Sequence, residues 1–223
     1  MSDSELLEKL RKQGKIWPGN QCYSAVPHSV IPTNYPELDA QLPGGGWPIG
    51  AIVEIQYTQP HRGEVRLILP ALKYLGNQDS RWQIWLNPPD RPHGPGLLSW
   101  GVPIEQTLVC PDLKSKDLSW TMDQCVQHRG CSALLVWTEY IDPAQLRRLQ
   151  LAAENRRMTL FLFRKIGKSN NLPYARLKLL VTTTHSHSHI RIDILKRRPG
   201  WPISGLEFEV PMIGPDWRAR FSD

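Results

Sequence analysis

A chain of 223 residues with 40% hydrophobic and 22% charged side chains has room for one folded domain with short extensions, which argues against a disordered chain. The formal charge of +6, from 27 basic and 21 acidic side chains, suits a polyanionic or acidic partner, and equally a basic surface with none. Four cysteines without C-x-x-C or zinc spacing, apolar stretches too short for a bilayer and no export-like N-terminal segment imply reduced thiols, a cytoplasmic location, no membrane contact and no metal centre.

In chain order, Leu6, Leu7 and Leu10 share one face of a short helix over Ser4 to Lys12, closed by Gly14. A Pro-rich, irregular lead-in follows from Trp17 to Pro43, with one or two helical turns over Pro36 to Leu42. Ala51 to Gln56 is a buried strand. Beyond it, Val65, Ile68, Leu69, Leu72 and Leu75 recur at helical spacing, and Pro70 demands a kink or a late helix start. Trp82 to Leu86 is a strand, with a short helix near Leu97 to Trp100 and a brief strand at Leu108 to Cys110. A helix is expected from Asp117, as N-cap, to Arg129, and a central strand over Ala133 to Trp137. Asp142-Pro143 starts a helix running to about Arg157, and Met158 to Phe163 is the next strand. Strands alternating with helices, several of them apolar throughout, predict a mostly parallel, twisted sheet covered on both faces.

The ending has a different period. Ala175 to Thr182 and His189 to Leu195 alternate polar and apolar residues, which predicts an antiparallel hairpin at the edge of the sheet. From this pattern the chain divides into an N-terminal helix and lead-in (1–43), a core domain (44–198) and an extended C-terminal tail (199–223).

The strand, turn and helix between Gly50 and Leu72 have the layout of a phosphate-binding loop, whose pattern is G-x-x-x-x-G-K-[ST]. Aligning Gly63 to the second glycine puts Thr58 at the first, Glu64 at the lysine and Val65 at the magnesium-binding hydroxyl. A carboxylate there repels phosphate, and Pro60 removes a backbone donor, so no nucleotide cofactor and no catalytic residue are expected. Glu139, just after the central strand, is the one acid placed to approach the loop.

Basic residues gather in two places: Arg147, Arg148, Arg156 and Arg157 on one helix, and Lys196, Arg197 and Arg198 after the last strand, followed by Trp201. These are the candidates for contact with DNA phosphate or an acidic partner. Trp82, Trp85, Trp120 and Trp137 are expected in the core, whereas Trp201 and Trp217 fall in a polar tail. His185, His187 and His189 alternate within SHSHSH, but no further ligand accompanies them, and a solvated turn is the expectation. No nucleophile–base pairing emerges, so the chain is not expected to be an enzyme.

ELDAQLPGGGWPIGAIVEI, RWQIWLNPPDRPHGPGLLSWGV, RGCSALLVW, LRRLQLAAENRRMTLFLF and HIRIDILKRRPG together resemble the RecA core. Within that fold, IWPGNQ, LDAQLPGGGWP, LRRLQLAAE and LKRRPG resemble the ImuA family over about Trp17 to Trp201. That resemblance implies a non-hydrolysing, pseudo-ATPase scaffold of SOS-induced translesion synthesis. Its partners would be a Y-family polymerase homologue and an error-prone replicative-type polymerase. It leaves self-association through the N-terminal segment open. GAIVEIQYTQPHRGEVRLILPALKYLGNQDSRWQIWLNPP also resembles the SulA family, SOS-induced inhibitors of the tubulin-like division protein FtsZ. SulA chains are shorter and lack the GGGWP lead-in and the LKRRPG end, so the ImuA reading is the leading expectation and FtsZ the alternative partner.

Overall fold

The computed structural model describes residues 29–61, 63–167, 173–184, 186 and 188–215. The expected Ser4 to Lys12 helix, His185, His187 and Trp217 lie outside the described residues.

Short strands β1 (Val30–Ile31) and β2 (Trp47–Pro48) pair antiparallel around the single turn α1 (Pro36–Asp39). The main sheet has eight strands: β3 (Ile52–Tyr57), β4 (Trp82–Leu86), β5 (Thr107–Cys110), β6 (Cys131–Trp137), β7 (Thr159–Lys165), β8 (Leu177–Thr183), β9 (His189–Arg197) and β10 (Ile203–Glu209). Their spatial order is β10-β9-β8-β3-β7-β6-β4-β5. The strands from β8 to β5 run parallel; β9 is antiparallel to β8, and β10 is antiparallel to β9. The chain is thus a mixed α/β fold.

Both sheet faces are covered along the parallel half. On one face, α2 (Leu69–Gln78) and α3 (Gly94–Ser99) bury Leu69, Leu72, Leu75 and Leu97 against Val53, Ile55, Leu135 and Phe161. On the other, α4 (Ser115–Gln127) and α5 (Pro143–Arg156) bury Leu118, Met122, Leu146 and Leu149 against Ile52, Leu134, Leu160 and Leu162. This explains why β6, sandwiched between helices, is buried at every residue, whereas β9 alternates. Each of these leucine side chains is worth about 1.5–3 kcal/mol of burial.

One expectation is narrowed here and two change. The Pro70 constraint is met by a late start: a 3-10 turn (Arg66–Ile68) precedes α2, and Pro70 sits in its first turn, where no backbone donor is needed. Helix α4 begins at Ser115 rather than being capped by Asp117; Lys114 takes the N-cap position, and Asp117 lies in the first turn, where a carboxylate suits the helix dipole. The hairpin of β8 and β9 is not the sheet's edge, because Ile203 to Glu209 pair with β9 as a further strand. Its apolar residues are sparse, yet Leu206 faces Ile192 and Phe208 faces Ile190 in register.

Candidate functional site

The loops after β3, β4 and β6 meet at the carboxyl edge of the parallel strands, where an open α/β sheet ordinarily binds its ligands. Glu64 is 1% exposed, and its Oε1 accepts the His61 backbone N–H at 2.8 Å. The carboxylate therefore takes a loop amide for itself, in the position the sequence alignment gives to a phosphate-binding lysine. Gly63 holds φ +105°, and a Cβ there would stand 2.7 Å from Ile190 Cγ2, so the turn needs glycine. Thr58 and Val65 are half-buried on either side. Glu139 is within electrostatic reach: burial foremost, then Glu64 and Glu139, pushes the Tyr57 hydroxyl up. Burial pushes the Arg66 guanidinium down, with Tyr35 and Glu64 opposing it.

Two depressions open at this edge. One, about 900 Å³, lies between the loops after β3 and β6 and the start of α4, with Tyr57, Lys116, Ser119, Glu139, Tyr140 and Lys165 in its wall. Asn87 shapes its rim: the side chain donates to Leu113 O at 2.8 Å and accepts Leu113 N–H at 2.7 Å, tying the end of β4 to the approach to α4. The other, about 620 Å³, lies on the opposite face between the Gly63 to Arg66 turn and the Pro-rich loop after β4. His61 Nε2 and Asp90 Oδ2, 3.1 Å apart, bridge those two loops.

Beneath the first depression is a buried ion cluster. Glu54 and Arg164 are fully buried, with Oε1 and Nη1 3.5 Å apart, and Lys178 Nζ approaches Glu54 Oε2 at 3.4 Å. Gln56 donates to Glu54 at 2.9 Å, and Arg164 donates to Glu139 O at 2.7 Å. Burial pushes the Arg164 guanidinium down, and Glu54 opposes that.

The structure divides the sequence's basic candidates. Arg147 and Arg148 are exposed early in α5, Arg148 pairing with Asp123 at 3.4 Å. Arg156 and Arg157 lie at the helix end, roughly 13 Å further along the axis at 1.5 Å per residue. There Arg157 donates to Ser29 Oγ at 2.9 Å, and Arg156 O accepts from Arg81 at 3.3 Å. Lys196 donates to Pro173 O at 2.8 Å, while Arg197 donates to Gln41 O and, at 2.7 Å, to Trp201 O, so both are tied into the fold. Crowding by burial and by Arg198 pushes Lys196 down. Arg198 and Trp201 remain exposed, Trp201 by 83%. The tryptophan expectation splits: Trp85 and Trp137 are core, but Trp82 and Trp120 are exposed by 41% and 65%, because Trp82 opens its strand and Trp120 lies on the outward face of an amphipathic helix. Tyr140, exposed by 67%, lines the first depression, as does Ser119, the residue before Trp120, and the exposure of both rings is not disclosed by residue type alone.

The family model for the cell division inhibitor SulA matches residues 50–159, from the start of β3 into β7. Cell division inhibitor SulA of Erwinia pyrifoliae is 31% identical over 129 residues, 57% of this chain and 75% of that protein. The SulA of Serratia proteamaculans is 30% identical over 105 residues (47% and 62%), and that of Yersinia enterocolitica 26% over 148 residues (66% and 84%). These findings overturn the ImuA reading, and with it the translesion scaffold, the pseudo-ATPase label and the two polymerase partners. Of the phrases on which that reading leaned, IWPGNQ, LDAQLPGGGWP and LKRRPG lie outside the segment the family model matches, and LRRLQLAAE lies inside it. Among the described residues no cluster of metal-binding side chains occurs, and no helix is long and apolar enough to cross a membrane.

Proposed function

The chain belongs to the SulA family of cell division inhibitors, and from that premise we propose that it blocks division by binding FtsZ, acting through contact rather than catalysis. We read its sheet as a RecA-like core used as a binding scaffold. The observation that carries the proposal is the family match itself, which covers residues 50–159.

Within that segment the aromatic residues Trp120 and Tyr140 are exposed, Tyr140 lines the first depression with Ser119, the residue before Trp120, and Arg148 of α5 pairs with Asp123 of the helix that carries Trp120; exposed aromatic rings with charge nearby suit a protein interface. Arg156 and Arg157 also lie in the segment but at the far end of α5; Lys196, Arg197, Arg198 and Trp201 lie beyond it. We therefore assign the FtsZ contact to the Trp120–Tyr140 surface and leave the C-terminal basic group outside it.

The experiment is assembly of purified FtsZ with GTP, followed by light scattering, in the presence of the purified chain. Suppressed assembly together with a stable complex in sedimentation is expected. Unaltered assembly at several-fold molar excess, with no complex, overturns the reading.

A further inference from the structure

Where β8 begins and β9 ends, four cations share one face of the sheet. Lys178 on β8 stands directly opposite Lys196 on β9, and Leu177 stands opposite Arg197. One step further in the same register, Arg176 comes opposite Arg198. Side chains alternate between faces along a strand, so these four lie on the face away from the buried Leu177. We propose that this face, with Trp201 at its end, binds single-stranded nucleic acid, the cations taking phosphates and the indole stacking on a base.

Like charges set directly opposite each other on a sheet repel, so the fold carries a cost here that a polyanion relieves. Among the described residues the one carboxylate in ion-pair contact with the array is Glu54, 3.4 Å from Lys178 and already shared with Arg164. Arg176 and Arg198 have no ion-pair partner among the described residues. Lys196 donates one N–H to Pro173 O at 2.8 Å and keeps the rest of its ammonium free for an acceptor. Burial foremost, then Arg198 and Lys178, pushes that ammonium down against the pull of Glu54, as expected where cations crowd one another.

Alternate residues of a strand are about 6.6 Å apart, and neighbouring strands about 4.8 Å, so the cations form a two-by-two array. Its long edge is comparable to the separation of successive phosphates along an extended nucleic-acid strand. Trp201 lies in the turn that joins β9 to β10. Its carbonyl accepts Arg197 Nε–H at 2.7 Å while its ring is 83% exposed, so the backbone is anchored and the indole is offered to solvent. Tyr174, 38% exposed, follows the proline that holds Lys196 and adds a second ring. Cations interleaved with exposed aromatic rings suit a single strand, whose phosphates pair with charge and whose bases stack. An acidic peptide would engage the cations and leave Trp201 idle, and a duplex keeps its bases stacked on one another. All of these residues lie beyond 50–159, so the site stands or falls independently of FtsZ binding.

The test is fluorescence anisotropy of labelled oligothymidylate and oligouridylate, each about 12 nucleotides long, titrated with the full chain. Saturable binding is expected at about 50 mM salt, weakening with a log–log salt slope of about 2–3, since each phosphate neutralised contributes about 0.7. Trp201→Ala should weaken binding roughly ten-fold. Arg176→Gln combined with Arg198→Gln should lower the salt slope by about 1.4. Binding of either strand with these dependences supports the proposal, and the tighter of the two identifies the nucleic acid. No saturable binding overturns it, as does unchanged affinity in Trp201→Ala. Equal affinity for the oligothymidylate–oligoadenylate duplex, or equal competition by polyglutamate of the same charge, overturns it as well. The duplex and polyglutamate arms need only the unmutated chain, so they decide the matter even where a variant fails to fold.

Discussion

Glu54 on β3 and Arg164 on β7 face each other with no solvent exposure, and Lys178 approaches the same carboxylate from β8. Three adjacent strands are thereby joined through one side chain. Removing Glu54 takes the shared carboxylate from two cations, one of them fully buried. Glu54→Ala is expected to cost about 3–5 kcal/mol in urea unfolding, whereas Glu54→Met combined with Arg164→Met should be closer to wild type than Glu54→Ala. A single mutant within 1 kcal/mol of wild type (about a five-fold change in the folding constant) would refute this account.

Alkaline pH should unfold the protein through its buried thiols. Burial, with neighbouring Cys110, pushes Cys125 up to about 11, and burial, with Cys125, pushes Cys131 up to about 12. Burial likewise raises the Tyr35 hydroxyl. All three keep the neutral form in the fold, so the unfolded chain releases protons first as pH rises. The stability they supply is full below about pH 9 and is lost progressively from there towards pH 12. Melting temperature against pH should be flat below 9 and fall above it. Cys125→Ala combined with Cys131→Ala should flatten part of that fall.

Gly63→Ala is expected to destabilise by about 1–3 kcal/mol, since its backbone angle disfavours a side chain and a Cβ would collide with Ile190. The cost should appear in chemical denaturation. The colliding Cγ2 belongs to Ile190 of β9, so Ile190→Ala, which removes it, should make Gly63→Ala cost less than it does in the wild-type background.

Trp120→Ala or Tyr140→Ala should weaken suppression of FtsZ assembly by ten-fold or more without shifting the melting temperature, because both rings are largely exposed. Trp201→Ala, outside the matched segment, should leave suppression unchanged. The reverse pattern would move the contact to the C-terminal group.

The parallel core is legible in the sequence because its signal is local: a strand buried on both faces, such as Cys131 to Trp137, is apolar throughout, and Asp142-Pro143 caps a helix by its own chemistry, accepting Gln145 N–H at 2.9 Å. What stays hidden depends on partners distant in the chain. Strand β10 exists because Leu206 and Phe208 meet β9, and the division of the arginines follows from where α5 begins and ends. Glu64 is readable as a residue hostile to phosphate, but its bond to His61 N–H is not.

Strand β3 has β7 on one side and β8 on the other, both synthesised about a hundred residues or more after it. On the ribosome, at roughly 5–20 residues per second, β3 waits several seconds or longer for its first hydrogen-bonding neighbour. Contacts this far apart in the chain make closure of the sheet slow relative to its helices. A newly made molecule therefore passes through a stage in which an interior strand, five of its six residues buried in the finished fold, has both edges bare. The amount of folded protein in a cell should then depend on how well that interval is protected, as much as on how fast the chain is made.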